Sequence, residues 1–207
     1  MCENKRVRLE EIAEQIMECV KCPLHRTRTR AVPGEGDPCA TVMLVGEAPG
    51  YNEDIQGRPF VGAAGKLLNQ LLGIAGFSRS EVFITNVVKC RPPNNRDPRE
   101  EEVEACKPYL IAQLEVLEPK VVVSLGNHSS RLFFKLSGLR FTSIMRVRGV
   151  TRKISVAGRE LLLLPTLHPA AALYNPRLRA LLEKDFQLLG RLVSRGLGGL
   201  ERWLDGE

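Results

Sequence analysis

The sequence predicts an α/β domain of three layers, a four-stranded, mainly parallel central sheet flanked by helices. Four short apolar runs, at 41–46, 81–86, 121–126 and 161–166, are continuous rather than alternating, as strands buried on both faces are. The segments between them carry helical periodicity, so strand, loop and helix recur in the order that a parallel sheet requires. Each run also ends on, or runs directly into, a polar residue: Glu47, Asn86, Asn127 and His168 in turn. In such sheets ligands sit beyond the carboxyl ends of the strands, so these four loops are expected to converge on one cleft.

Leu9, Ile12, Ala13, Ile16 and Val20 share one helical face, which predicts a first helix over 9–20 with Cys19 at its C-terminal end. The basic segment that follows, with Lys21, His25, Arg26, Arg28 and Arg30, reads as a loop facing phosphate. The first strand, 41–46, opens into Gly46-Glu47-Ala48-Pro49-Gly50 and then Gln56-Gly57-Arg58-Pro59-Phe60-Val61-Gly62, reaching Gly65-Lys66. Glycines and prolines hold an irregular backbone there and present Glu47, Tyr51, Asn52, Glu53, Asp54 and Phe60, more chemistry than a packing loop needs. Val61, Ala64, Leu68, Leu71, Leu72 and Ala75 then recur at helical spacing over 62–75, and Gly76 ends that helix. The second strand ends on Asn86, and Val87-Val88-Lys89-Cys90-Arg91-Pro92-Pro93-Asn94-Asn95-Arg96 follows. Asp97, Pro98 and Glu100 predict the cap, first position and capping box of a helix over 98–117 that carries Cys106. After the third strand Asn127 begins a short helix to about 136, and 137–160 is irregular, with a second basic region of Arg140, Arg146, Arg148, Arg152 and Lys153. The fourth strand runs into Leu167-His168-Pro169-Ala170, and Leu178, Leu181, Leu182, Phe186, Leu189 and Val193 define a final helix over 176–195.

The chain reads as one domain over 1–207, with a core of about 9–192 and a tail of 193–207, large enough to bury its own core without staples. Its net charge of +6 is carried largely by arginine, whose planar donor fork suits phosphate; nucleic acid is the natural partner, against the plainer reading of a solvated basic surface. No apolar run is long enough to span a membrane and the N-terminus lacks a signal-type apolar core, so a cytoplasmic, monomeric protein is expected.

Six cysteines in such a chain argue for a metal or reactive thiols rather than a disulfide framework. Cys19 and Cys22 form a C-x-x-C, and Cys90 and Cys106 a wider pair; together they make a four-thiolate site open to zinc or to a four-iron cluster, a structural staple rather than a reactive centre. Cys2 and Cys39 belong to neither pair and read as buried or incidental. Gly62-Ala63-Ala64-Gly65-Lys66 fails the nucleotide-binding signature at Phe60 and Leu67, yet a helix N-terminus of small residues suits a DNA phosphate. Phe60, outside the expected core, suits a stacking platform, and Asn86 offers both a donor and an acceptor to a base edge. His168 becomes a hydrogen-bond donor candidate by its place at a strand's carboxyl end, whereas His25 and His128 carry no functional reading.

Taken together, Gly46-Glu47-Ala48-Pro49-Gly50, Gly57 to Gly62, Thr85 to Pro93, His168-Pro169-Ala170 and the four cysteines resemble the family 4 uracil-DNA glycosylases over about residues 9–192. The resemblance implies a 4Fe-4S cluster on Cys19, Cys22, Cys90 and Cys106, uracil-containing DNA as partner, and hydrolysis of the N-glycosidic bond as the first step of base-excision repair. It implies that Phe60 stacks on the extruded uracil, that Asn86 reads the O4 and N3 edge, and that His168 donates to O2. Glu47 would place water or stabilise the cationic sugar, with Glu53 and Asn95 as helpers and Gly46 and Ala48 lining the base site. Arg58, Gly62, Lys66 and Arg177 would face DNA, and Leu173 would be a minor-groove wedge. Two alternatives stand beside uracil excision: another deaminated base as substrate, and a cluster-bearing DNA-binding module without activity. Beyond the resemblance, Leu200-Glu201-Arg202-Trp203-Leu204 has the spacing of a sliding-clamp peptide, though Leu197 stands where such peptides prefer Gln, and a turn packing back on the domain competes with it.

Overall fold

The computed structural model of the protein describes residues 2–194, so the clamp-like stretch at 200–204 lies outside the described residues. Its strands are β1 (Glu35–Gly36), β2 (Val42–Gly46), β3 (Phe83–Asn86), β4 (Val121–Leu125), β5 (Arg152–Val156) and β6 (Arg159–Thr166), joined in one sheet in the order β1-β3-β2-β4-β6-β5. The four central strands run parallel and are the four runs expected, and every residue of β2, β3 and β4 is buried.

The sheet therefore has six strands, not four, because each edge carries an antiparallel addition. β1 is two residues long, too short for any period to register. β5 forms a hairpin with β6 across Ala157-Gly158, both at positive φ (53° and 72°), as a two-residue turn requires. Alanine is an unusual occupant of that first position, which is why 137–160 reads as irregular. Of its basic residues, Arg148 pairs with buried Asp185 and Lys153 with Glu160, while Arg140 and Arg146 remain exposed.

The helices are α1 (Cys2–Met17), α2 (Tyr51–Gln56), α3 (Ala63–Ala75), α4 (Glu100–Leu117), α5 (Asn127–Leu136), α6 (Ile144–Val147), α7 (Pro169–Ala172) and α8 (Pro176–Ser194). α3 packs on α8 and α1 on α4, flanking the sheet. No helix among the described residues is long and apolar enough to cross a membrane. α1 starts seven residues before the expected Leu9 and stops before Cys19. Its early start is held by Lys5, whose ammonium donates to the Leu117 carbonyl and pairs with Glu118, both at 2.9 Å. α4 begins later than the Asp97-Pro98 cap predicts. Glu102, fully buried, accepts from the Arg99 N–H at 2.8 Å and receives the Arg96 guanidinium in a two-pronged pair at 2.6 and 2.9 Å, so the box closes on Arg99.

Cys2 and Cys39 are neither buried nor incidental: they form a disulfide that ties the start of α1 to the turn before β2. Cross-linking residues 37 apart restricts the unfolded chain by an amount worth about 4 kcal/mol on a chain-entropy account. Cys39→Ser is expected to lose about that much unfolding free energy in denaturant titration, with activity retained at moderate temperature.

Candidate active site

The carboxyl ends of β2, β3 and β6 meet at a cavity of about 330 Å³, within the usual range for a small-molecule pocket. Glu47, Ala48, Glu53, Phe60, Asn86, Asn95 and His168 all line it. The loops are fastened to one another by main-chain bonds: the Val87 N–H donates to the Gly46 carbonyl at 3.0 Å and the Val88 N–H to that of Glu47 at 3.1 Å. Gly46 pairs in register with Asn86. A Cβ at Gly46 would stand 2.3 Å from Asn86 Oδ1 and 2.6 Å from the Phe60 ring, so only glycine permits both side chains to reach the cavity.

Phe60 corrects one expectation. It is not outside the core but only 6% exposed, with one ring serving both the apolar cluster and the cavity wall. Its backbone is left-handed (φ 51°), a costly conformation for a bulky residue. Two features hold it there. Arg79 donates to the carbonyls of Pro59 and Phe60, and Gly65 gives room, since a Cβ at that position would lie 1.8 Å from the Phe60 oxygen. The imidazole of His168 stacks on Phe60 with centroids 5.5 Å apart.

His168 opens α7, and its Nδ1 accepts the Ala170 N–H at 3.2 Å. The proton of the neutral ring is thereby assigned to Nε2. Burial pushes its pKa down to about 4, opposed only weakly by Glu53, so the ring is neutral at physiological pH. Asn86 is 1% exposed, and its Oδ1 has no partner among the described residues. A buried acceptor left unpaired costs about 1–3 kcal/mol, which a protein retains where a ligand will meet it. Glu47 stands at the mouth, with its pKa raised by burial against the opposing charge of His128. His128 Nε2 lies 3.1 Å from Asp97 Oδ2 and 3.9 Å from Glu47 Oε2, between the two carboxylates.

The expected helpers, Glu53 and Asn95, line the cavity and also hold its loops. Glu53 spends its carboxylate on the main chain, accepting from Gly50, Val61 and Gly62 at 3.2, 2.8 and 3.0 Å, which shapes the loop around Phe60. Asn95, at positive φ (53°), accepts from Arg91 Nε at 2.7 Å. Arg58, with its side chain 59% exposed, pairs with Glu35 of β1 at 2.6 and 3.0 Å, and the Gly62 N–H donates to Glu53. Lys66 and Arg177 are exposed. Leu173 packs against the core, whereas its neighbour Tyr174 is 93% exposed. Asn127, beyond β4, holds the α6 backbone through the Ile144 N–H at 3.1 Å rather than lining the cavity.

Behind β3 the four expected cysteines come together. Cys19 and Cys22 follow α1, Cys90 follows β3 and Cys106 lies on α4, and all four line one small cavity. Arg28 Nη1 donates to Cys90 Sγ at 3.1 Å and the Lys89 N–H to Cys106 Sγ at 3.2 Å, donors suited to thiolates. Four thiols gathered in one cavity are a donor set that fits a metal centre, zinc or a four-iron cluster alike.

Three contributors escape the sequence. His128 carries no motif and Asp97 reads only as a helix cap, and their meeting with Glu47 arises only when α5 and the loop before α4 are brought together. Lys89, a charged residue in the loop after β3, is only 1% exposed.

Residues 33–189 match the family model described as the uracil DNA glycosylase superfamily. The chain is 56% identical to the type-4 uracil-DNA glycosylase of Sulfurisphaera tokodaii over 89% of this chain and 84% of that protein. It is 50% identical to the type-4 enzyme of Saccharolobus solfataricus over 96% and 92% of the two chains, and 49% identical to that of Archaeoglobus fulgidus over 90% and 94%.

Proposed function

The chain belongs to the uracil DNA glycosylase superfamily, and from that premise we propose that its cavity receives an extruded uracil, cleaves the N-glycosidic bond by hydrolysis and leaves an abasic site in DNA. The observation that carries it is the orphaned, buried Oδ1 of Asn86 at the cavity wall. Uracil presents an N3–H donor beside an O4 acceptor, the complement of one amide. With Oδ1 so placed, cytosine sets its N3 lone pair against an oxygen and its amino group against the amide N–H₂. Phe60 supplies the stacking face, held rigid by Arg79 and Gly65.

Bond breaking leaves negative charge on the base and positive charge on the sugar. The neutral imidazole of His168 donates Nε2–H to O2, where the base's charge gathers. Glu47 answers the other charge, orienting water toward the anomeric carbon and stabilising the cationic sugar as an anion. Because burial raises the Glu47 pKa, the acid limb of kcat is expected above the ordinary glutamate range near 4.5, with kcat falling as pH drops through that limb. Glu47→Gln should lower kcat and abolish the limb; a pH–rate profile checks both.

Lys66 and Arg177 are proposed as phosphate contacts, and Tyr174, not Leu173, is the side chain on its loop free to enter the base stack. The four cysteines are proposed as ligands of a 4Fe-4S cluster, supported by their convergence on one cavity and by the N–H donors on Cys90 and Cys106. When bound, the cluster acts as a cross-link joining α1, the Asn86 loop and α4, with no part in the bond cleavage.

The reading is tested by incubating the protein with a labelled oligonucleotide containing one deoxyuridine, followed by alkali. Scission at that position, without added metal and above that seen with hypoxanthine or with thymine opposite guanine, is the expected result. Binding without scission would overturn it.

A further inference from the structure

We infer that Lys89 is a positioning residue for Asn86, coupling the four-cysteine centre to the base-reading amide. Lys89 is among the largest fully buried side chains of the described residues, and no step assigned above uses it. Its ammonium has three protons and three acceptors, Thr85 Oγ1 at 2.5 Å, the Asn86 carbonyl at 2.8 Å and Gln113 Oε1 at 2.7 Å. Its own N–H donates to Cys106 Sγ at 3.2 Å. One residue therefore touches the last two residues of β3, the middle of α4 and a cysteine of the second cavity. Gln113 extends the tie by donating Nε2–H to the Pro33 carbonyl at 2.8 Å.

Asn86 needs such an anchor. Its Oδ1 has no partner among the described residues, so its aim is set by its backbone. That backbone is the last residue of β3, paired with Gly46 on one side and released into a loop on the other, and Lys89 grips its carbonyl from inside the fold. An apolar side chain at 89 would strand three buried acceptors and free the strand end to shift, and a shift of about 1 Å at such a site costs on the order of 10²-fold in rate.

The inference rests on Asn86 reading the base, so Asn86→Ala is measured in parallel with Lys89→Met on the cluster-loaded protein. Lys89→Met is expected to lower kcat/KM on deoxyuridine DNA by about 10²-fold and to weaken inhibition by free uracil about tenfold, with visible cluster absorbance retained. A protein that is merely less stable would keep the free-uracil affinity of its folded fraction. Gln113→Leu, which spares the bonds to Thr85 and Asn86, should show the same split several-fold, and it replaces Lys89→Met if that variant does not fold. Unchanged free-uracil affinity and kcat/KM in the folded variant, beside an inactive Asn86→Ala, would overturn the role of Lys89 alone. An active Asn86→Ala would overturn the base-reading role beneath it.

Discussion

Asn86→Leu is expected to lower kcat/KM on deoxyuridine DNA by about 10⁴-fold while leaving the fold at least as stable as the parent. Two opposite consequences follow from one atom. Oδ1 is buried and unpaired among the described residues, so a leucine of similar size removes a polar group that these residues do not satisfy. In the complex the same substitution leaves uracil N3–H and O4 facing hydrocarbon, and sites built to hydrogen-bond a substrate lose about 10⁴- to 10⁵-fold when one side of the bond is missing. Denaturant midpoints and steady-state kinetics on one preparation measure both quantities. A variant both inactive and markedly less stable would show Asn86 to be a structural residue whose partner lies within the protein. The pairing of gained stability with lost activity marks an acceptor kept for a ligand.

The residues that made the fold legible also made the site legible, for one physical reason. A parallel strand buried on both faces is mostly apolar, so a polar residue at or just past its carboxyl end is conspicuous, and Glu47, Asn86 and His168 are such residues. Asn127 obeys the same rule and yet caps α6, because the pattern marks a strand's end without saying which neighbour claims the side chain. What stayed hidden depends on pairs distant in sequence. Nothing local to Arg58 announces its pair with Glu35, 23 residues earlier. Cys2 reads as incidental until α1 brings it to Cys39. Phe60 among glycines reads as a loop residue, but Arg79, beyond α3, closes on its carbonyl and draws it into the core. Lys89 is the extreme case: its charge suggests water, and only three converging acceptors from β3 and α4 make burial tolerable. Local pattern carried the strands and the motif loops; the ties that hold those loops in register are long-range.

His168→Ala is expected to lower kcat by about 10²- to 10³-fold, with a smaller effect on KM, because Nε2–H meets charge that is fully developed only as the bond breaks. The imidazole donates while neutral, so its contribution should persist down to mildly acidic pH, well below where an unperturbed histidine near 6.5 would charge. The sign for stability follows from the same shift. The folded-state pKa of about 4 lies below the unfolded value near 6.5, so between these pH values the unfolded chain binds the extra proton. Stability from this group is therefore complete above about pH 6.5 and is lost as pH falls toward 4, by at most about 3 kcal/mol. His168→Ala should flatten that part of the stability–pH curve while removing activity at every pH, and His168→Gln, which keeps an N–H donor but does not titrate, should flatten the curve equally and retain more of the rate. If His168→Gln were as slow as alanine, the ring's stacking on Phe60 would outweigh its proton. If the wild-type rate fell along a limb near 6.5 that is absent from both variants, the histidine would be working as a charged acid, and burial would not be what sets its state.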